Sequence, residues 1–369
     1  MTRKPDIWES LSGSVTMLTL TSVSSLRRDL GDSCTVLRVH DGRVFAGSHE
    51  GTLACWMTET GERVWQVTMS GPLSDIDFAS DRVYVAESSM IHCLDYNSGE
   101  IFWSSELEGS SDYVVTTDGG ISATSSVYEI EIGDYTESTI WIFNDSGELE
   151  RRWAIAERCW FFCSDTRGLV LGLGRPRCGV LRVNDGKLEH IGSGDVGPVT
   201  CGSSVDNRVL LGHSDGKVSE IDGSDCDSAL EGGAPVSAVL GSENWTVAGL
   251  EDGGVISSKG WNYTSKGSIS ALSLGPSPSS KWAIWASSDD GVVVLDHDDG
   301  KPLIELGHGC KITESDSGGD LIAIGDSEGI IHLIEQSVLS RRLVEDFEII
   351  EEGTVKREMM DRLRKLRGS

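Results

Sequence analysis

A short apolar strand that runs into a glycine-ending turn and back into a second strand recurs about eight times along this chain, at a spacing of roughly 35 to 45 residues. The clearest copies begin at Val44, Val83, Trp282 and Leu321. In arrays with such a period one unit cannot cover its own faces, and stacked neighbours share a continuous core. The repeat therefore predicts one large all-β body rather than two or three separate domains.

The first two units show how a repeat is built. In the first unit Gly51 and Gly61 end two successive turns, and Trp65 follows four residues after the second glycine. In the second unit Gly99 and Trp103 have the same spacing. Glycine supplies the positive φ that tight hairpin turns need. Each unit is therefore predicted to be a small antiparallel sheet.

The order Leu-Asp, turn, Gly-Glu and Trp resembles the quinoprotein-like (PQQ-like) repeat of eight-bladed β-propellers. It is present as Leu94, Asp95, Gly99, Glu100 and Trp103 in the second unit, and as Asp296 and Gly300 in the seventh. The resemblance implies that the tryptophan docks between blades and that the aspartate braces the turn. Later units drift, and Trp245 and Trp261 of the sixth unit are out of register with the pattern. Tryptophan-aspartate repeat propellers are the structural alternative, although no unit pairs a Gly-His opening with a Trp-Asp ending.

These patterns predict an all-β fold, a single β-propeller with eight four-stranded blades over residues 36–342, with seven blades as the alternative. Residues 1–35 form an N-terminal segment. Within it, Ser14–Val23 alternates apolar and hydroxyl residues and is predicted to be a ring-closing strand. We expect it to pair with the blade that contains Leu321–Glu335, because an unclosed ring leaves exposed sheet edges. Residues 343–369 form a charged tail.

The charge balance bears on the partners. Asp and Glu total 59 against 31 Lys and Arg, which gives a formal net charge of -28. Such a chain repels nucleic acid over most of its surface, so nucleic-acid binding is not expected. The aromatic run Trp160 to Phe162 is predicted to pack between blades rather than to stack on bases. The acidity indicates either an adaptation for solvation or a surface for basic protein partners.

The chain has no apolar stretch of about 20 residues, which a membrane-spanning helix needs, and its start lacks the apolar region of a signal peptide. We therefore predict a cytoplasmic protein without a transmembrane segment. The sequence does not predict an oligomeric state.

Two departures from the repeat are the candidate interaction sites. The third unit carries an insertion, 128–138, whose carboxylates are Glu129, Glu131, Asp134 and Glu137. The tail has apolar residues at helical spacing from Val355 to Leu366, which predicts an amphipathic helix. Its basic face carries Arg362, Arg364, Lys365 and Arg367. This face could fold back onto an acidic rim of the same chain, or dock on a partner or on an anionic membrane surface.

No catalytic, cofactor or metal site is predicted. The eight histidines lack ligand spacing, and Asp296, Asp298 and Asp299 offer too few oxygens for calcium. The pattern favours a non-catalytic scaffold for protein-protein interaction. The alternative is a propeller enzyme, a hydrolase or a quinone-dependent oxidoreductase, with a site in the central funnel. Three or more acidic or histidine side chains that converge at the channel with shifted pKa values would favour the enzyme.

Overall fold

The computed structural model describes residues 18–131, 133–192, 197–205, 208–222, 225–278 and 282–344. Within them the chain forms eight antiparallel four-stranded sheets. The first strand of each blade contacts the first strands of both neighbouring blades, all the way around the ring. The prediction of an eight-bladed β-propeller is confirmed.

The strands follow one another in chain order, apart from the one that closes the ring. Blade one contains β2 (Cys34–His40), β3 (Arg43–Ser48), β4 (Thr52–Met57) and β5 (Arg63–Thr68), and blade two contains β6 (Leu73–Ala79), β7 (Arg82–Glu87), β8 (Met90–Asp95) and β9 (Ile101–Glu106). Blade three contains β10 (Ser110–Thr117), β11 (Gly120–Glu129), β12 (Asp134–Asn144) and β13 (Leu149–Ile155), and blade four contains β14 (Cys159–Asp165), β15 (Gly168–Leu173), β16 (Gly179–Asn184) and β17 (Lys187–Ile191).

Blade five contains β18 (Val199–Val205), β19 (Arg208–His213), β20 (Lys217–Asp222) and β21 (Asp225–Glu231), and blade six contains β22 (Val236–Ser242), β23 (Trp245–Leu250), β24 (Gly254–Ser257) and β25 (Asn262–Thr264). Blade seven contains β26 (Ile269–Gly275), β27 (Ala283–Ser288), β28 (Gly291–Asp296) and β29 (Pro302–Gly307). Blade eight contains β30 (Ile312–Gly318), β31 (Leu321–Asp326) and β32 (Ile330–Glu335), and β1 (Leu26–Asp29) is its outer strand.

An N-terminal strand closes the ring, but it is not the one that the sequence pattern predicted. β1 pairs antiparallel with β32, with Leu26 opposite Leu333. The prediction of a strand at Ser14–Val23 is wrong in its described part, because Leu20–Val23 form a short helix, α1, with a capping box between Thr19 and Ser22. Leu20 and Val23 are buried between blades seven and eight, which favours a helical turn over an alternating strand.

A C-terminal helix follows the ring directly and spans residues 336–344. Leu339 and Leu343 pack in the same cluster as Leu20, and the Arg342 guanidinium donates hydrogen bonds to the carbonyl oxygens of Ser22 and Ser24. The first and the last of the described segments therefore meet at blade eight. The predicted helix around residues 355–366 lies outside the described residues.

The hydrophobic core is divided among the junctions between blades, where the predicted tryptophan role is confirmed. The Trp65 indole donates to the Tyr96 carbonyl oxygen in blade two (3.0 Å), and the Trp103 indole donates to the backbone carbonyl oxygen of Asp145 in blade three (3.1 Å). A Cβ added to Gly99 would lie 2.8 Å from the Trp65 ring. The turn glycine of one blade thus makes room for the tryptophan of the blade before it.

The same junction recurs where the sequence pattern had decayed. Trp261 is out of register in the sequence, yet it donates to the His297 carbonyl oxygen of blade seven and lies against Gly300, as the other interblade tryptophans do. The turn in blade six is shorter, which shifts the residue count but not the position in space. At the ring closure Arg28 takes the tryptophan's place and donates to the Gly61 carbonyl oxygen (2.6 Å).

The predicted turn aspartates also brace their turns. Asp95 Oδ1 accepts hydrogen bonds from the backbone N–H groups of Asn97 and Ser98. Asp296 Oδ1 accepts in the same way from Asp298 and Asp299. The oxygen-rich run in blade seven therefore has a structural role at its first carboxylate, as the repeat implied.

Candidate functional site

The hairpin between β11 and β12 is the largest departure from the repeat. These two strands are 10 and 11 residues long, whereas the equivalent strands β7 and β8 of blade two have six each. Pairing continues to Glu129 opposite Asp134 at the tip, and the turn closes where the Gly133 N–H donates to the Glu129 carbonyl oxygen. The third blade therefore presents a paired, ordered arm beyond the rim, built from the insertion that the sequence singled out.

All four predicted carboxylates lie on this arm and face solvent, namely Glu129, Glu131, Asp134 and Glu137. Two large side chains are exposed beside them, namely Ile130, which is 86 % exposed, and Tyr128, which is 51 % exposed. Apolar side chains exposed next to charge are typical of protein-binding surfaces rather than of bare loops. We call residues 127–137 the acidic arm.

One side of the acidic arm is aromatic. Tyr128 pairs with Tyr135 across the hairpin, with ring centroids 5.1 Å apart. The Arg158 guanidinium lies 3.4 Å from the centre of the Tyr135 ring and 4.1 Å from that of Trp160. Residues in a strand alternate between faces, so the paired Glu129 and Asp134 point to the opposite side of the hairpin from the tyrosines.

Tyr128, Tyr135, Arg158 and Trp160 form an aromatic row that corrects the prediction for Trp160 and contains an arginine that the sequence did not indicate. Trp160 is 38 % exposed and stacks on Arg158, so its assignment to the packing between blades is wrong, whereas Phe162 is buried as predicted. Arg158 joins the row because its nitrogen also lies 3.6 Å from Asp112 in the first strand of blade three. The arginine comes from the neighbouring blade, so no local pattern could have placed it under Tyr135.

The central channel contains a second cluster of charged groups, which the sequence pattern did not identify. Arg38 Nη2 lies 2.6 Å from Asp75 Oδ1, and the Val39 N–H donates to Asp316 Oδ2. Arg38 also lines a cavity of about 640 Å³, whose wall includes Ser203, Ser315 and Asp316. First strands of neighbouring blades supply these groups, which a search for short motifs does not detect.

Burial shifts the titration of this cluster. It raises the pKa of Glu314 to about 7 and that of Asp75 to about 6, and Arg38 lowers both only in part. Burial raises the pKa of Asp316 as well, against its hydrogen bond from Val39. Three carboxyl groups with raised pKa values thus converge around one arginine, which meets the condition set above for a catalytic funnel. Their partners also explain them as a structural network.

Three groups of side chains in the described part of the chain have the spacing to hold a metal ion. Two are at the surface, namely Asp32, His49 and Glu50, and Asp296, His297 and Asp298. The third consists of His308, Cys310 and Asp326 in blade eight and is largely buried. None resembles the adjacent cysteines and acidic calcium site of quinone-dependent dehydrogenases.

The basic residues of the predicted interaction site, Arg362, Arg364, Lys365 and Arg367, lie outside the described residues. The structure therefore brings together the acidic half of the predicted site. No helix in the described segments is long and apolar enough to cross a membrane. The cytoplasmic location remains a prediction.

The repeat is similar to that of a known family. A family model described as outer membrane protein assembly factor BamB, built on the PQQ-like repeat, matches residues 9–135. The resemblance to PQQ-like repeat propellers is confirmed. The matched PQQ-like region contains the first two blades and most of the acidic arm, and the best-formed repeats lie within it. The comparison with curated proteins found no match.

Solved structures with the same architecture include natural and designed propellers. BamB from Moraxella catarrhalis is 16% identical, with a TM-score of 0.63, over 84% of this chain and 96% of that one. Sqt1 of Saccharomyces cerevisiae is 13% identical, with a TM-score of 0.67, over 85% and 98%, and the computationally designed Ika8 protein is 16% identical, with a TM-score of 0.69, over 84% and 98%. At these identities the chain shares their fold, and its function must be argued from its own surface.

Proposed function

We propose that this propeller is a protein-interaction platform whose acidic arm receives a basic segment that also carries apolar residues. The observation that supports it is the composition of the arm, where four exposed carboxylates flank the exposed Tyr128 and Ile130. The carboxylates would attract lysine and arginine over several ångströms, and the two apolar side chains would lose contact with water on binding. The rest of the ring holds the arm rigid.

A paired hairpin suits this role better than an irregular loop. Its strands are hydrogen-bonded to the tip, and Arg158 fixes the tyrosine side, so little conformational freedom remains to be lost on binding. The predicted basic helix of the tail has the composition of such a ligand. This helix would bind the arm of its own chain, or a partner protein would supply a basic segment of similar composition.

A photo-reactive amino acid placed at Ile130 in the full chain tests the proposal. We expect ultraviolet light to produce crosslinks to segments rich in lysine and arginine, either in the tail of the same chain or in a partner from the native source. The matched control carries the same amino acid at Leu188, which is 39 % exposed on blade four. Position 130 is expected to give several times more crosslinked product than position 188.

The charge requirement is tested in the same assay with Glu129→Gln, Glu131→Gln, Asp134→Asn and Glu137→Gln combined. Crosslinking from position 130 should fall by about tenfold, and raising the salt concentration should reproduce the loss. The control variant combines Glu59→Gln, Glu62→Gln, Glu189→Gln and Glu243→Gln, four exposed carboxylates on other blades, and has the same net charge. Equal crosslinking by the two variants would refute a specific role for the arm.

One observation favours a second candidate function, acid-base hydrolysis in the channel. Glu314 and Asp75 have pKa values near neutrality, and a cavity lined by Arg38 adjoins them. A panel of chromogenic esters and glycosides tests it. Turnover by the wild type that Glu314→Gln abolishes would support catalysis, and no turnover by either protein would leave the cluster with a structural role.

A further inference from the structure

The cluster in blade eight carries an inference independent of the proposed function. His308 and Cys310 lie in the loop between β29 and β30, Asp326 ends β31, and His332 lies in β32. The side chains of Asp326 and His332 are each 1 % exposed, and that of His308 is 10 % exposed. We propose that these four side chains bind one Zn²⁺ ion in a tetrahedral site.

The distances among three of these side chains are close to those of such a site. His308 Nε2 lies 2.9 Å from Asp326 Oδ2 and 3.2 Å from Cys310 Sγ, and His332 Nε2 lies 3.9 Å from the same Asp326 oxygen. With metal-ligand bonds of about 2.0–2.3 Å, the ligand atoms of one tetrahedral zinc ion lie about 3.3–3.6 Å apart. The ligand atoms of His308, Cys310 and Asp326 all lie within 4.8 Å of one another, and the His332 imidazole would move toward them to complete the site.

The strongest indication is the unpaired nitrogen of His332. Ser24 Oγ donates its hydrogen to the Leu20 carbonyl oxygen, so it can only accept from His332 Nδ1, 2.9 Å away. The other nitrogen, Nε2, then carries a lone pair that faces the Asp326 carboxylate. It has no hydrogen-bond partner within the described part of the chain. A cation between these two groups satisfies both, and Ser24 fixes the imidazole orientation as outer partners of metal-bound histidines do.

Two buried histidines in other blades have hydrogen-bond partners for both ring nitrogens. His92 of blade two contacts Glu87 through Nε2 and Ser104 through Nδ1. His213 of blade five contacts Ser219 and the Gly197 carbonyl oxygen through its two nitrogens. Those two blades fill the position with complete hydrogen-bonded pairs, and neither cluster includes a thiol. Blade eight alone among these three combines a free lone pair with a cysteine.

The rest of the donor set suits zinc rather than calcium or magnesium, because it has two imidazoles and a thiol. Asp326 Oδ1 accepts from the N–H groups of Glu328 and Ile330, whereas Oδ2 faces the two imidazoles and is the oxygen that would bind the ion in place of its contact with His308. The Cys310 thiol would lose its proton to solvent when the Zn–S bond forms. A cavity of about 390 Å³ lined by Thr19, Thr21 and His308 gives access. A bound ion would tie the loop, two strands and, through Ser24, the N-terminal segment together.

Cobalt substitution of the full-length chain tests the site. Metal-free protein titrated with Co²⁺ should bind one ion with a thiolate-to-cobalt charge-transfer band and the intense visible bands of tetrahedral cobalt, and Zn²⁺ should displace it. Cys310→Ala should lose the charge-transfer band, and His332→Gln should bind Zn²⁺ at least tenfold more weakly. His213→Gln and His49→Gln, which alter blade five and the exposed cluster near Asp32, should keep the full signature.

Thermal unfolding guards against variants that only fail to fold. Cys310→Ala should unfold at the temperature of the metal-free wild type, and Zn²⁺ should raise the unfolding temperature of the wild type but not that of this variant. Co²⁺ binding without a thiolate band, or equal Zn²⁺ stabilisation of wild type and Cys310→Ala, would overturn the proposal.

Discussion

The junction between blades one and two and the acidic arm of blade three use the same repeat in opposite ways. At the junction, Trp65 is 7 % exposed, lies against Gly99 and donates to the Tyr96 carbonyl oxygen of blade two. The tryptophan and the turn glycine of the repeat therefore both serve the contact between blades. At the arm the two strands of the hairpin are longer than in the repeat, and their side chains face solvent, with Ile130 86 % exposed. Residues that keep the repeat hold neighbouring blades together, whereas the residues of the arm, which depart from the repeat, are exposed to solvent.

The largest expected effect is on the junction. Trp65→Ala should lower the free energy of unfolding by about 3–5 kcal/mol, because it leaves a cavity between two blades and removes the indole hydrogen bond to the Tyr96 carbonyl oxygen. Trp282→Ala is the control, since that side chain is 46 % exposed, and it should change stability by less than about 0.5 kcal/mol. Urea denaturation measures both. Crosslinking from position 130 should be unchanged in Trp65→Ala under conditions where it is folded.

The second prediction compares two junctions. Gly99 and Gly61 both have positive φ, so alanine costs about 1–2 kcal/mol of backbone strain at either. At Gly99 the new Cβ also meets the rigid Trp65 ring, whereas at Gly61 it meets the flexible end of Arg28. We expect Gly99→Ala to cost about 3 kcal/mol and Gly61→Ala about 1–2 kcal/mol in urea denaturation. Equal losses would mean that the tryptophan does not set the requirement for glycine.

The third prediction concerns the channel. The folded-state pKa of Glu314, about 7, is above its ordinary value of 4.5, so the folded protein holds this proton longer than the unfolded chain. The stability that protonated Glu314 contributes should therefore fall as the pH rises from about 4.5 to 7, and the loss of this contribution should be complete above that. Glu314→Gln mimics the protonated form and should be more stable than the wild type at pH 8 by about 1–2 kcal/mol after screening by channel water, but equal at pH 4.5. Urea denaturation of both proteins at the two pH values measures this. The same difference in unfolding free energy between wild type and Glu314→Gln at pH 4.5 and at pH 8 would contradict the prediction.

The smallest effect on stability is expected at the arm. Neutralising Glu129, Glu131, Asp134 and Glu137 together should change the free energy of unfolding by less than about 0.5 kcal/mol, because all four face solvent. Relief of repulsion among them could only stabilise the protein. A loss above about 2 kcal/mol in urea denaturation would show that these carboxylates support the blade and would remove the distinction between arm and junction.

Much of the fold could be predicted because each blade repeats the same local chemistry. Turn glycines and the Gly99-to-Trp103 spacing identified the hairpins and the interblade tryptophans directly. Ring closure was predicted correctly in kind but assigned to Ser14–Val23, because its alternation outweighed Leu26–Asp29, where two adjacent arginines hide the strand. β1 can be recognised as a strand only from the three-dimensional structure, where it pairs with the otherwise exposed edge of β32.

The acidic half of the candidate site could also be predicted, since the insertion interrupts the repeat and its charges are contiguous. The remaining sites could not, because their residues are distant in sequence. Arg38, Asp75 and Glu314 meet only when the ring closes, and His332 depends on Ser24 from the other end of the chain. His308 and Cys310, two residues apart, were the only local signal of the blade-eight cluster.

The most direct test of the central claim shortens the arm and measures binding and stability on the same protein. Replacing residues 127–137 with Asn-Gly joins Ser126 to Ser138, which are paired in β11 and β12, through a two-residue turn. Captured proteins and bound tail peptide, residues 355–369, are then compared between this variant and the wild type. The account predicts that the shortened chain keeps the unfolding free energy of the wild type to within about 1 kcal/mol and loses capture of basic segments. Undiminished capture by a folded, shortened chain would contradict it.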